Sequence, residues 1–477
     1  MPVAPFSLVS PPLFTAADIR AVDRDWATAH PTRPLMESAG AAVAELAGMK
    51  AGESGEPVLV LAGPGNNGGD ALVTARHLRA HGARVIVASR ADPGRLPADA
   101  ARAWRAWHDD GGAVQPGLPE SRRFSLVIDG LFGVGLARDV GNEDARWIAH
   151  VNGLACPRLA IDVPSGLDSD SGRVRGAAVR ADHTLTFIGL KPGLLTTDGP
   201  DHAGELHLDT LAIEPAMLPR TAGTALTQLE DRHRLPPRAR NSHKGTYGHV
   251  GIVGGDTGTV GAALIAGRAA LRQGTGSVTV GALDARIAVD YGEPRLMFGP
   301  PETLAAMKLD ALAIGPGLGQ RPLARTLVES ALAAACPLVL DADALNLLAD
   351  DADLARRAAG RTAPLLLTPH PGEAARLLGM TPRTVQANRI DAAQRLSAQY
   401  RAHVALKGAG TIVAHPDGRY AINTTGGPWL AQAGSGDRLT GMVAALLAQG
   451  MLAGDALEAA VWLHGRADAV QQMRVFR

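Results

Sequence analysis

The segment 63-GPGNNGGD-70 sets two carboxamides and a carboxylate in a run of glycines. Glycine loops that hold phosphates present backbone N–H groups and often a Lys. This one presents Asn66, Asn67 and Asp70. Two more polar loops, 129-DGLFGVGL-136 and 162-DVPSGLDSDSG-172, carry Asp129, Asp162 and Ser165. Asp162 ends an apolar run, where a carboxylate is partly desolvated and suited to acid–base work. In the second half, 434-GSGDRLTG-441 puts Gly434, Gly436 and Asp437 at the mouth of an apolar helical segment. Backbone N–H groups at a helix start form an anion pocket. A carboxylate there repels phosphate unless it has another task, such as taking the proton of a hydroxyl that attacks a phosphoryl group. The N–H donors are expected to hold Asp437 ionised at neutral pH. The plainer alternative is that Ser435 or Asp437 caps the helix, and the local pattern leaves both open.

These residues need elements to position them. In the first half, Val58–Ala62, 84-RVIVAS-89, 125-SLVIDG-130, 158-RLAIDV-163 and 183-HTLTFIGL-190 are continuous apolar runs separated by helical segments. That pattern predicts a parallel sheet covered on both faces, with ligands beyond the carboxyl ends of its strands. From residue 214 to 240, proline, charge and lost periodicity mark a linker. A second α/β set follows, through 249-HVGIVGGDTGTVGAALIAGRAALRQG-274, 277-SVTVGA-282, 311-ALAIGPGLG-319, 337-PLVLDADALNLL-348, 364-PLLLTPHPGEAARLLG-379 and 403-HVALKGAG-410. The fold class is therefore α/β with two different domains: residues 1–215, a linker 216–240 and residues 241–477. Each half is expected to fold alone.

The 477 residues suit two domains, and the composition, 46% apolar and 20% charged, is that of a globular protein. Zero net charge gives no reason to expect nucleic acid. No apolar run reaches the roughly 18 residues that span a bilayer. The start, MPVAPFSLVSPPLF, lacks a basic n-region, so an intracellular, cytoplasmic protein without a membrane partner is expected. Cys156 and Cys336, both before Pro, fit small buried residues and give no disulfide framework or cysteine metal cluster.

Residues 240–470 resemble the ribokinase-like superfamily, and within it the ADP/ATP-dependent NAD(P)H-hydrate dehydratases. The segments that carry the resemblance are 244-KGTYGHVGIVGG-255, 261-GAALIAGRAALRQGTGSVTV-280, 315-GPGLG-319, 341-DADALNLL-348, 368-TPHPGEAARLLG-379, 407-KGAGT-411 and 434-GSGDRLTG-441. The resemblance implies that Lys407, Gly408, Ala409, Gly410, Thr411 and Gly436 line an adenine nucleotide. It also implies that Ala262, Gly319 and His370 meet the hydrated nicotinamide, and that Asp437 is the catalytic base. The implied phosphoryl donor is ADP with Mg²⁺. Read without the family, His370 is equally a cap or turn residue, and Lys407, one of five lysines, a solvated cation. Ala433 replaces the family's usual Gly before GSGD.

Residues 12–215 resemble NAD(P)H-hydrate epimerases through 35-LMESAG-40, 63-GPGNNGGDALVTARHL-78, 129-DGLFGVGL-136, 162-DVPSGLDSDSG-172 and 189-GLKPGLL-195, implying a Rossmann-like doubly wound sheet. The resemblance implies substrate contacts from Asn66, Asn67, Gly68, Gly69, Asp70, Gly133, Val134, Gly135, Leu136 and Asp162, with Asp162 the acid–base group. It implies potassium at Asn67, Asp129 and Ser165. Oxygen donors of low total charge suit a large monovalent ion better than Mg²⁺, although Asn67 alone also reads as an Asx-turn residue. Ala71 stands where the family usually has Gly. The expectation is a bifunctional enzyme, a homo-oligomer, that epimerises R and S NADHX and NADPHX and dehydrates the S form. Two other readings stay open: a small-alcohol or pyrimidine kinase in the second half, and a non-catalytic nucleotide-binding module in the first.

Overall fold

In a computed structural model, which describes residues 10–472 except 53, 121 and 122, the chain divides at residues 221 and 222 into two units. In the first, seven strands form one parallel sheet: β1 (Val58–Ala62), β2 (Val85–Ala88), β3 (Val114–Gln115), β4 (Leu126–Gly130), β5 (Arg158–Ile161), β6 (His183–Phe187) and β7 (Glu205–Asp209). Their order is β3-β2-β1-β4-β5-β6-β7. The order reverses between β1 and β4, so the loops leaving these two strands open a crevice at their carboxyl ends. Those loops carry Asn66 to Asp70 and Asp129 to Leu136. Helices cover both faces. Val43, Leu46 and Leu72 pack with Val60 and Ile128 on one side, and Trp147, Ile148 and Val151 with Leu59 and Leu61 on the other. Every residue of β1 and β4 is buried, which is why these strands read as unbroken apolar runs. The short strands β3 and β7 lay outside the predicted runs.

The second unit holds a ten-stranded sheet of β8 (Gly223–Leu226), β9 (His249–Gly254), β10 (Ser277–Ala282), β11 (Met297–Phe298), β12 (Ala311–Ile314), β13 (Leu338–Leu340), β14 (Leu365–Leu367), β15 (His403–Leu406), β16 (Ile412–Ala414) and β17 (Tyr420–Asn423). The order is β11-β10-β9-β12-β13-β14-β15-β16-β17-β8, and only the β15/β16 and β16/β17 pairs are antiparallel. The helices Val260–Arg272 and Ser435–Ala448 cross so closely that a Cβ on Gly441 would stand 1.9 Å from the Ala266 carbonyl oxygen. Glycine is the residue that permits this approach.

Residues 216–240 are not a free connector. Strand β8 adds in parallel to β17 at the edge of the second sheet. Beyond it, the His233 ring meets Glu458 Oε2 at 2.8 Å, and Arg232 donates to Glu458 and to Asp455, each at 2.7 Å. The His415 ring meets the other Glu458 oxygen at 2.8 Å. Burial works against the Glu458 carboxylate, but His233, His415 and Arg232 outweigh it and hold its pKa well below the ordinary range. A four-residue strand between prolines and charges carries no periodic signal. Its pairing with residues almost two hundred positions away is what makes it a strand.

Candidate functional site

At the first crevice, the chain leaves β5 through Asp162 with φ of 66°, in the left-handed region that few non-glycine residues adopt. The turn points the carboxylate back toward β6. Asp162 Oδ1 accepts from Lys191 Nζ, from Thr186 Oγ1 at 3.1 Å and from the Phe187 N–H at 3.2 Å. Lys191 is wholly buried and also donates to Thr186 Oγ1 at 2.9 Å and to the Phe187 carbonyl at 2.8 Å. Burial pulls the Lys191 pKa down, against the pull of Asp162. These donors all engage Oδ1, which leaves Oδ2 the less encumbered oxygen. Lys191 was not read as functional from the sequence. The signal was there, in the GLKPG turn and the scarcity of lysine.

We expect Lys191→Met to destabilise the first unit by about 3–5 kcal/mol, because it strands a buried carboxylate. Adding Asp162→Asn should restore much of that loss. Urea unfolding of the single and double variants measures both, and a Lys191→Met midpoint equal to wild type would refute the pairing.

Asp129, at the end of β4, is fully buried. Its Oδ2 accepts from the Ser165 N–H at 2.8 Å, and its Oδ1 accepts from Ser165 Oγ at 2.6 Å and from the Leu131 N–H at 3.3 Å. Burial pushes its pKa up to about 6, and the Ser165 and Leu131 donors only partly oppose this. Among the described residues no Lys or Arg pairs with it. Asn67 is buried, with its side chain against Gly133 in the loop that follows Asp129 and its amide nitrogen without a partner. Asp129 and Ser165 are thus joined by hydrogen bonds, and Asn67 packs on the loop between them. Asp70 is half-buried, and burial followed by the carboxylates of Asp162, Asp23 and Asp99 raises its pKa well above the ordinary range. Asp23 and Asp99 were not anticipated.

Two glycines of the loop are closely packed. A Cβ on Gly68 would collide with the Gly63 backbone, and one on Gly69 with Met36 and Ala100. Their N–H groups already donate to the Gly65 carbonyl at 3.0 and 3.3 Å. Gly68 and Gly69 are therefore positions where a side chain would not fit. Asn66 is exposed at the helix start, and Gly133, Val134 and Leu136 are half-buried in the neighbouring loop, whose Gly135 is open to solvent. The Ala71 methyl fills the space facing Gly130, so alanine is accommodated at this position.

In the second unit, the carboxyl ends of β13, β14 and β15 face the start of the helix Ser435–Ala448. Lys407 Nζ donates to Asp341 Oδ1 at 2.8 Å and lies 3.9 Å from Glu373. Thr440 Oγ1 donates to the other Asp341 oxygen at 2.7 Å. Burial disfavours both charges, but each stabilises the other, so the Lys407 pKa is raised and that of Asp341 lowered. Lys407 is therefore a held cation rather than a solvated one, and its ammonium stands 3.2 Å from where a Cβ on Gly436 would be. The loop Gly408–Thr411 links β15 to β16, with φ of 140° at Gly408 and 60° at Gly410. Its backbone rests on the buried Arg389 guanidinium, which donates to the carbonyls of Leu406 at 3.1 Å, Lys407 at 3.3 Å and Gly410 at 3.4 Å. Asp341, Glu373 and Arg389 were missed as site residues.

Asp437 is half-buried in the first turn of its helix, which begins at Gly434 without a side-chain cap. The capping alternative therefore fails for Ser435 and Asp437. Burial raises the Asp437 pKa to about 6, with Asp341 and Asp343 adding to the rise and Lys407 opposing it. The expected N–H environment is thus outweighed by burial and neighbouring carboxylates, yet a value of about 6 leaves the carboxylate mainly ionised at pH 7. His370 does cap its helix, Pro371–Leu378: Nδ1 accepts from the Gly372 N–H at 2.9 Å, and Glu373 returns the contact to the His370 N–H at 2.7 Å. Burial, then Lys407 and Arg376, lower its pKa, so the neutral ring keeps its proton on Nε2, which lies 3.2 Å from Glu373 Oε1. The Gly319 N–H donates to Asp343 at 2.8 Å. Ala262 lies in the first turn of the helix Val260–Arg272, which Gly434 packs against, and Ala433 is exposed.

Residues 250–474 match the family model described as NAD(P)H-hydrate dehydratase, and residues 32–193 match that of the YjeF-related protein N-terminus. The chain is 39% identical over 431 residues to the bifunctional NAD(P)H-hydrate repair enzyme Nnr of Escherichia coli (strain K12), covering 87% of this chain and 81% of that protein. It is 38% identical to the enzyme of the same name from Moorella thermoacetica over 488 residues, covering 95% and 91%. Among solved structures, the ADP/ATP-dependent NAD(P)H-hydrate dehydratase from Bacillus subtilis, co-crystallized with ATP/Mg²⁺, is 34% identical with a TM-score of 0.44 over 50% of this chain and 87% of that one. No helix among the described residues is long and apolar enough to cross a membrane.

Proposed function

Because the chain belongs to the bifunctional NAD(P)H-hydrate repair enzymes, we propose that its first unit interconverts the R and S hydrates of NADH and NADPH. The second then dehydrates the S form at the expense of ADP, releasing AMP and phosphate. The observation that carries the reading is an uncapped, half-buried Asp437 beside the Lys407 ammonium at a helix start. Asp437 removes the proton of the C6 hydroxyl as that oxygen attacks the terminal phosphoryl group. Lys407 and the N–H groups at the helix start balance the charge that moves onto the leaving nucleotide. The loop Gly408–Thr411 lies beside the nucleotide, whose phosphates bring Mg²⁺ with them. Loss of phosphate from C6 and of a proton from C5 then forms the C5–C6 double bond and restores the dihydronicotinamide. His370 Nε2–H and the Gly319 and Ala262 backbones border the hydrated ring.

In the first unit, Asp162 Oδ2 exchanges the proton that lets the C6 hydroxyl leave and return, while Lys191 holds Oδ1 in place. Potassium fits the neighbouring cluster, because Asp129 is a buried carboxylate without a cationic partner and Asn67 and Ser165 add oxygens. Bound there, the ion supplies the positive charge that offsets Asp129. Ser165, Asp129 and Asn67 then hold the two loops in register around the substrate.

Incubating the protein with mixed NADHX epimers, with and without ADP, and following dihydronicotinamide absorbance and free phosphate tests the reading. Full recovery only with ADP, with one phosphate released per reduced nicotinamide, supports it. A stable phosphorylated product would instead identify a kinase. Replacing potassium by tetramethylammonium should slow epimerisation, as should Asn67→Ala or Asp129→Asn. An equal rate in the ion-free buffer would remove potassium from the account.

A further inference from the structure

A second cluster lies at the opposite end of the first sheet. His183 and Glu205 open the adjacent parallel strands β6 and β7 and are paired in register, as are Leu185 and His207. Side chains alternate between faces with period two, so His183, Glu205 and His207 share one face. His183 Nδ1 lies 3.1 Å and His207 Nε2 3.8 Å from Glu205 Oε2, and one ligand atom from each residue falls within 4.8 Å of the others. The two rings are 5.6 Å apart.

The hydrogen bonding of this cluster is incomplete. His207 is only 3% exposed, yet neither of its ring nitrogens has a hydrogen-bond partner, and His183 Nδ1 meets only the Glu205 carboxylate. Buried polar atoms normally have partners, and leaving them without is costly. Glu205 is exposed on the edge strand β7, which opens the cluster to solvent. The groups facing it from other elements are Lys50, whose Nζ is 3.4 Å from Glu205, and Asp182, which Arg158 engages at 3.0 Å. Lys50 is the last residue of its helix, on a flexible stem that can turn away.

We propose that His183, Glu205 and His207 form a binding site for a borderline divalent transition ion, with Zn²⁺ the best-suited species. Two imidazole nitrogens and one carboxylate oxygen select such ions over Mg²⁺ or Ca²⁺, which take oxygen ligands. Metal–ligand bonds of about 2.0–2.1 Å place tetrahedral ligand atoms roughly 3.3 Å apart, a small side-chain adjustment from the spacing found here. The cluster sits at the amino ends of its strands, whereas Asp162 and Asp129 lie at carboxyl ends. Its ion therefore tethers the edge strand β7 to β6 and takes no part in epimerisation.

The test uses the full, tag-free chain after treatment with a chelator. Calorimetric titration with Zn²⁺ should show one saturable site. Co²⁺ should give the visible absorption of a low-coordinate nitrogen–oxygen complex, and Zn²⁺ should raise the melting temperature of the first unit. Glu205→Ala, at an exposed position that should not compromise folding, and His183→Asn should each weaken Zn²⁺ binding about tenfold or more, with epimerisation rates unchanged. Absence of saturable binding to the wild-type chain, or undiminished binding by Glu205→Ala, would overturn the assignment.

Discussion

Asp437→Asn is expected to slow dehydration of the S epimer by roughly 10²–10⁴-fold, the usual share of a positioned base, while leaving folding and nucleotide affinity near wild type. Asn keeps the shape of the side chain and removes its ability to take a proton. No side chain caps the helix at Gly434, so the substitution costs no capping bond. The wild-type pH profile provides a second readout. With the Asp437 pKa pushed up to about 6 by burial and by Asp341, kcat/KM should fall about tenfold per pH unit below 6, as the carboxylate takes up its proton. The variant should lose that acid limb. Single-turnover rates and melting temperatures on the same preparations decide the matter. A variant within a few-fold of wild type would show that another group accepts the C6 proton.

The second large effect belongs to the other half of the chain. Asp162→Asn should reduce enzymatic epimerisation by roughly 10²–10⁴-fold, leaving ADP-dependent consumption of the S epimer unchanged and the R epimer to spontaneous interconversion. The Asn side chain still accepts from Thr186 and the Phe187 N–H, but it leaves the wholly buried Lys191 ammonium without its counter-charge. A fall in melting temperature is therefore expected as well, and the double variant with Lys191→Met separates the two effects. It should recover stability without recovering rate. Recovery of both would mean that Asp162 acts through the fold alone.

What the sequence determined by itself was local. Continuous apolar runs marked strands buried on both faces, and glycine-rich polar loops at their ends marked candidate sites. Those loops singled out Asn67, Asp129, Ser165, Asp162 and Asp437 as candidates, because turn chemistry and periodicity are written within a few residues, whereas Lys407 stood out only through the family motifs. The ordered motifs added the family, and with it the substrate. The sequence did not show which charges would be paired. Lys191 reaches Asp162 across 29 residues and Lys407 reaches Asp341 across 66. Nor did it show that Gly223–Leu226, within the expected linker, completes a sheet through β17. It suggested that helix N–H groups would set the charge state of Asp437, whereas burial, then the carboxylate of Asp341 just after β13 and that of Asp343 at the start of the next helix, push its pKa upward. Tertiary structure decided these points because desolvation and Coulomb interaction depend on distance in space and on burial, and a linear sequence specifies neither.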